Sequence, residues 1–148
     1  VQTCALPVSK AYEQLDFQPI VSGTGGMSGD PKLRPEIGNL VAWQFAVTPF
    51  AGDLPAAQKV GEAFEKKFQQ PLTLNSALGY FGTMVAIKAL DSAKSFQPAD
   101  IADSLRTVKV GKDELITSST YLEFDQHGRN KGRDTRITQF QNAKLVTY

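Results

Sequence analysis

One helix that is apolar on most of its sides constrains this chain more than any other feature. Leu78, Phe81, Val85 and the segment 86–90 place hydrophobic side chains around the helix rather than along one stripe. Such a helix has to be buried, so the fold must supply layers around it. The helix before it is ordinary by comparison. Ala57, Val60, Phe64 and Phe68 form one apolar stripe, with Lys59, Glu62, Glu65 and Lys66 mostly outside. Asp53 is its expected N-cap with Pro55 in the first turn, and Asn75 or Ser76 is expected to cap the apolar helix. Pro98 opens a third helix over residues 99–107, with Ile101, Ala102 and Leu105 inward. Near the start, Val8, Ala11, Tyr12 and Leu15 repeat at helical spacing over residues 7–15.

The remaining segments read as strands and turns. Residues 18–22 form a short apolar strand entering a loop, residues 23–30, in which Gly23, Gly25, Gly26 and Gly29 allow sharp bending or close approach of a ligand. Residues 40–48 read as a buried strand with Val41, Trp43, Phe45 and Val47 on one face. Residues 116–124 are rich in β-formers, residues 125–128 have turn composition, and residues 135–140 pair with 144–148 as a hairpin across 141–143. The order is helix, two strands, three helices, then a group of strands. Its first half suits an α/β sheet, and its last third suits a chain crossing back to finish another sheet.

Bulk properties exclude several classes. With 148 residues, 41% hydrophobic and 21% charged, the chain fits one globular domain and neither disorder nor a coiled coil. The net charge is +1, and the densest basic stretch, from Arg129 to Arg136, is broken by Asn130, Gly132 and Asp134. It reads as a solvated turn, so the footprint of a nucleic-acid partner is missing. Cys4 is the single cysteine, which rules out an intrachain disulfide and a zinc ligand cluster. No apolar run reaches the roughly 18 residues of a membrane span. The first residues, Val-Gln-Thr-Cys, hold neither a start methionine nor a signal peptide, so the chain is expected to be processed, truncated or cut from something larger.

Candidate chemistry centres on the glycine loop. Backbone N–H groups of residues 23–26 and the Thr24 hydroxyl would suit a carboxylate or a carbonyl, and an ordinary strand-to-turn connection fits the same residues equally well. No Gly-Lys-Ser/Thr follows, so it is not a phosphate loop. Met27 suits either an apolar pocket or a buried gap. Cys4 with His127 could be nucleophile and base of a small hydrolase. They lie at opposite ends of the sequence, and the plainer reading is a semi-buried thiol and a surface histidine. Glu62, Glu65, Asp100, Asp103 and Glu114 fall on polar faces, with no apolar setting to raise a pKa. Trp43 reads as core. No cofactor, metal site or catalytic residue is expected.

Five stretches in order resemble a known family. Tyr12-Glu-Gln-Leu-Asp-Phe-Gln-Pro-Ile-Val-Ser-Gly-Thr-Gly-Gly26 resembles its helix, leucine turn, strand and cleft loop. Asn39-Leu-Val-Ala-Trp-Gln-Phe-Ala-Val-Thr-Pro-Phe50 resembles the strand leaving lobe two for lobe one. Phe64-Glu-Lys-Lys-Phe68, Ala77-Leu-Gly-Tyr-Phe-Gly-Thr-Met-Val-Ala-Ile-Lys-Ala-Leu90 and Phe124-Asp-Gln-His-Gly-Arg-Asn130 resemble two of its helices and the turn before its last strands, and Gln139-Phe-Gln-Asn-Ala-Lys144 completes the match. The family is the type I periplasmic solute-binding proteins of ABC importers that take branched-chain amino acids and amides, and the likeness is to their C-terminal part.

The resemblance implies an α/β fold of the periplasmic binding protein type I class, with parts of two three-layer lobes joined by hinge crossovers near Thr48–Pro49 and Phe124–Asp125. Residues 1–48 would end lobe two, 49–124 would be the C-terminal part of lobe one, and 125–148 the final strands of lobe two. It implies a non-enzymatic, extracytoplasmic receptor that traps a small organic ligand between its lobes and delivers it to an ABC permease. A sensory or regulatory domain of the same fold is the alternative role. Ligand contacts carried over are Thr3, Thr24, Gly25, Gly26, Met27, Phe50 and Asn75, with Tyr80 expected to be structural. Family members are far longer, so a missing N-terminal portion is expected, present as another chain, lost by proteolysis or simply not included. Amino-acid binders of the family often carry an acid at the position of Gly25; its absence favours an uncharged or anionic ligand.

Overall fold

Helix starts follow the local capping chemistry. The computed structural model describes residues 2–17, 19, 22–24, 45–50, 52–141 and 144–148. Its helices are α1 (Gln2–Gln14), α2 (Pro55–Phe68), α3 (Leu74–Ser92) and α4 (Pro98–Thr107). α1 begins before the expected start at Pro7, which therefore sits inside the helix. Proline removes one i→i−4 bond there, to the carbonyl of Thr3, and so close to the helix start the loss does not break it. α2 has Leu54 rather than Asp53 at its N-cap and no side-chain cap bond. Pro55 at the first helical position supplies a preset φ and lacks the N–H that a cap would satisfy. α3 is capped by Thr73, in place of the expected Asn75 or Ser76. Ser76 N donates to Thr73 Oγ1 at 3.3 Å, and Thr73 N donates to Ser76 Oγ at 2.8 Å. This reciprocal pair satisfies two otherwise orphaned donors.

The chain divides into two compact units. The first is Val1–Pro49 with Arg136–Tyr148, and the second is Phe50–Thr135. The turn at residues 125–134, expected with the final strands, falls in the second unit.

In the first unit, β1 (Ser22–Thr24), β2 (Phe45–Thr48), β3 (Arg136–Gln141) and β4 (Lys144–Thr147) form a sheet in that order. β1 and β2 are parallel, with Thr24 opposite Val47. β2 and β3 are antiparallel, with Thr48 opposite Arg136, and β3–β4 is the expected hairpin. On β2 the buried residues are Ala46 and Thr48, while Val47 is exposed. That reverses the expected inward face. Ala46 lies opposite Thr138, whose Oγ1 donates to the Ala46 carbonyl at 3.3 Å, so the covered face is lined by small and hydroxyl-bearing residues. Val47 pairs with Ile137 on the other face, and both are about half exposed. Val41 and Trp43 of the expected strand lie outside the described residues.

In the second unit the core is built on α3. Val85 and Ala89 pack with Val108, Val110, Leu115 and Leu122, and Ala77 packs with Ala57 and Ile116. Contrary to the expected full burial, α3 leaves Tyr80 47% and Ile87 52% exposed. The inward residue of α4 is Ser104 rather than Ala102 or Leu105. Its Oγ donates to the Ala89 carbonyl at 2.6 Å and lies 2.8 Å from Ser92 Oγ, so α3 and α4 meet through a polar contact. Residues 116–124 make no ladder. They pair through single bridges, Phe50 with Thr117, Val110 with Leu122 and Phe124 with Asn130. Composition favours extended backbone, but a strand also needs one continuous neighbour, and these residues change partner every few positions.

Candidate functional site

Parallel pairing of β1 and β2 brings their carboxyl ends, Thr24 and Thr48, to one end of the first unit's sheet. Open α/β sheets bind ligands beyond that end. Arg136 begins β3 opposite Thr48, and Tyr148 N donates to the Ile137 carbonyl at 2.9 Å, so both chain positions share it. Arg136 closes the basic stretch read from sequence as a solvated turn and also falls in the expected hairpin strand, residues 135–140; it is a half-buried strand residue, as the hairpin reading has it. Thr24 of the candidate set ends β1. Gly25, Gly26 and Met27 of the candidate set lie outside the described residues. Thr3 lies in the first turn of α1.

The second unit holds Asn75 and Phe50. Asn75 occupies the second position of α3 and is exposed. Because Thr73 and Ser76 do the capping, the helix start does not call on the Asn75 amide, which leaves it available at a helix N-terminus, where N–H groups favour acceptors and anions. Phe50 is half-buried. It packs against the cluster of Ala57, Ala77 and Ile116 and lines a cavity of about 330 Å³ with Gly52 and Leu72. Its structural role is thus evident in this unit alone. Tyr80, expected in the core, lines a larger cavity of about 490 Å³ between α2 and α3.

The residues of the hydrolase reading are placed separately. Cys4 is in α1. His127 is exposed in a turn in which its own N–H and that of Arg129 donate to Asp125 Oδ1, at 2.8 and 2.9 Å. Gly128, at φ +75°, completes that turn. Glu123 is held below the usual carboxylate range, first by its hydrogen bond to Lys131 and then by Lys109, and Lys131 is raised in return. These groups form an exposed ion-pair cluster, a surface feature of the second unit. Among the described residues, no group of three or more His, Cys, Asp or Glu side chains is gathered as a metal ion would need, and no helix is long and apolar enough to cross a membrane.

Comparison with known proteins joins these observations. Residues 3–144 match the model of a family described as periplasmic binding protein. A Leu/Ile/Val-binding protein homolog 7 of Brucella suis is 33% identical over 106 residues, which cover 70% of this chain and 26% of that protein. A solved leucine-binding protein of Thermotoga maritima superposes with TM-score 0.75 at 22% identity, over 97% of this chain and 40% of its own. A fatty acid ABC transporter substrate-binding protein of Thermomonospora curvata gives TM-score 0.75 at 24% identity, over 97% and 39%. A branched-chain amino acid ABC transporter protein of Thermus thermophilus, solved with bound valine, gives 0.76 at 14%, over 96% and 41%. The chain thus spans about a quarter of that Brucella relative's length and two fifths of the solved ones.

Proposed function

Since the chain belongs to the periplasmic binding protein family and carries part of its type I α/β fold, we propose that it is a portion of an extracytoplasmic solute receptor. The receptor captures a small organic molecule, such as a carboxylic acid, an amide or an amino-acid-like compound, and delivers it to an ABC importer in the membrane. The family match across residues 3–144 carries this reading. In the first unit the proposed contacts are Thr3, Thr24, Gly25, Gly26 and Met27. In the second they are Phe50 and Asn75.

The role is binding without turnover. His127 is engaged in a surface turn, and the displaced pKa values belong to an exposed ion-pair cluster rather than to a pocket. Ligand class is a matter of side chains, because the same fold serves a protein named for leucine, one holding valine and one named for fatty acids. Gly25 offers no carboxylate to a ligand ammonium, so an uncharged or anionic ligand is favoured. Asn75 adds donors suited to such a ligand.

A thermal-shift screen of the protein as its gene encodes it, using carboxylates, amides and amino acids, tests the reading. Ligand at 100 times its Kd adds about 2.7 kcal/mol to the folded state. A carboxylate or amide should raise Tm, and Asn75→Ala should weaken that ligand by roughly 2- to 10-fold, the loss of one hydrogen bond. Either no shift from any of the three classes, or turnover of the ligand that binds, overturns it.

A further inference from the structure

One charged strand residue stands where the parallel strands of the first unit finish. Thr48 ends β2 and lies opposite Arg136, and Ala46 lies opposite Thr138. Side chains alternate along a strand, so Ala46, Thr48, Arg136 and Thr138 share one face. The other three are buried, small and uncharged, and Arg136 is half-buried beside them. Burying a charge is costly unless polar groups meet it, and arginine answers this by covering its aliphatic stem while its head reaches a polar setting. From the first residue of β3, that setting is the space beyond the strand ends. Among the described strand residues, Arg136 is the charge at this end. Lys144, opposite Gln141, sits at the other, and β1 to β4 contain no Asp or Glu. The strands therefore make this end positive, and it is the end at which open α/β sheets take ligands. Gly25 likewise brings no carboxylate from the segment after β1.

We propose that Arg136 is a specificity-determining residue. Its guanidinium pairs with the carboxylate of a ligand held beyond the carboxyl ends of β1 and β2, which selects carboxylic acids over their amides. This rests on the receptor reading and narrows its ligand class. The planar fork of a guanidinium matches the two oxygens of a carboxylate, and the charged pair is stronger than a neutral hydrogen bond. Its five N–H donors serve the interaction partner that Arg136 already has within the protein and a carboxylate besides. An amide of the same shape offers one acceptor and no charge, so Arg136 separates two molecules that packing alone would treat alike.

Isothermal titration of the protein as its gene encodes it, with matched acids and amides, tests this. The pairs are isovalerate with isovaleramide, octanoate with octanamide and benzoate with benzamide. At least one acid should bind, and more tightly than its amide. Arg136→Gln should weaken that acid by roughly 10- to 100-fold, the worth of hydrogen bonds to a charged group, while changing the amide by less than about 2-fold. Arg136→Lys keeps the charge without the fork and should weaken the acid by a smaller factor, which keeps the test decisive where the glutamine variant does not fold. A residue that merely holds β3 in place would move acid and amide together, and that result overturns the proposal. So does a wild type that binds acid and amide equally, or an acid affinity that neither substitution alters. Binding of amides with none of the acids leaves the receptor reading standing and sinks the role of Arg136, whereas a thermal-shift screen without any response removes the receptor reading itself.

Discussion

At Gly132 the chain leaves no room for a side chain. A Cβ built there would lie 2.2 Å from the Tyr121 carbonyl oxygen and 2.8 Å from Tyr121 Cγ. Backbone rather than a flexible tip is in the way, because Gly132 O accepts from Thr120 N at 3.0 Å and Gly132 N donates to Asn130 Oδ1 at 3.0 Å. Gly132→Ala should cost about 1–3 kcal/mol, the range for forced overpacking, read from urea unfolding. Beside it, Glu123 makes a prediction in pH. Its carboxylate accepts from Lys131 Nζ and lies 3.4 Å from Lys109 Nζ, and both lysines lower its pKa in the folded state. A lowered folded value means the contribution is complete above the ordinary carboxylate range and is lost as pH falls through the folded value. Glu123→Gln should therefore reduce Tm slightly at neutral pH and flatten the fall of Tm with acidification. An unchanged acid slope in the variant counts against the pairing.

Elements were legible in proportion to how local their signals are. The spacing of Ala57, Val60, Phe64 and Phe68 located α2, and Pro98 marked the start of α4. The hairpin of β3 and β4 followed from two β-rich runs around a short polar turn. Caps were harder, because Thr73, Asn75 and Ser76 are all competent and only geometry chooses among them. Thr73→Ala should cost about 1 kcal/mol by breaking the reciprocal bonds to Ser76, whereas Asn75→Ala should leave urea stability nearly unchanged while weakening ligand. Which face of an element is covered was not legible. On β2, Val47 looked inward, but Ala46 and Thr48 are the buried residues, with the buried Thr138 beside Ala46 on the adjacent strand. On α3 the sequence asks for burial all round, and the second unit provides it on one side. Of the candidate site, Thr24 ends β1, Asn75 is exposed in the first turn of α3, and Phe50 has a packing role in the second unit.

For the whole molecule, the order of segments matters more than any one contact. The first unit is discontinuous, built from Val1–Pro49 and Arg136–Tyr148, and the second is the continuous stretch between them. Two of the four described strands, β3 and β4, come from the last segment, and β3 joins β2 to β4. Among the described strands, deleting residues 136–148 would leave β1 and β2, three and four residues long, as a parallel pair. Such a pair cannot sustain itself in water. The deletion also removes Thr138 and its hydrogen bond to the Ala46 carbonyl. The second unit keeps its interior, because Val85, Val108, Val110, Leu115 and Leu122 all lie within Phe50–Thr135. The truncated chain should therefore retain most of its helical circular dichroism at 222 nm, since α2, α3 and α4 are untouched. Its amides at residues 22–24 and 45–48 should lose their hydrogen-exchange protection. If the helical signal collapses together with that protection, the two units are not separate folding bodies. A chain that leaves one sheet, builds a second interior and returns to complete the first would then owe its stability to the return itself.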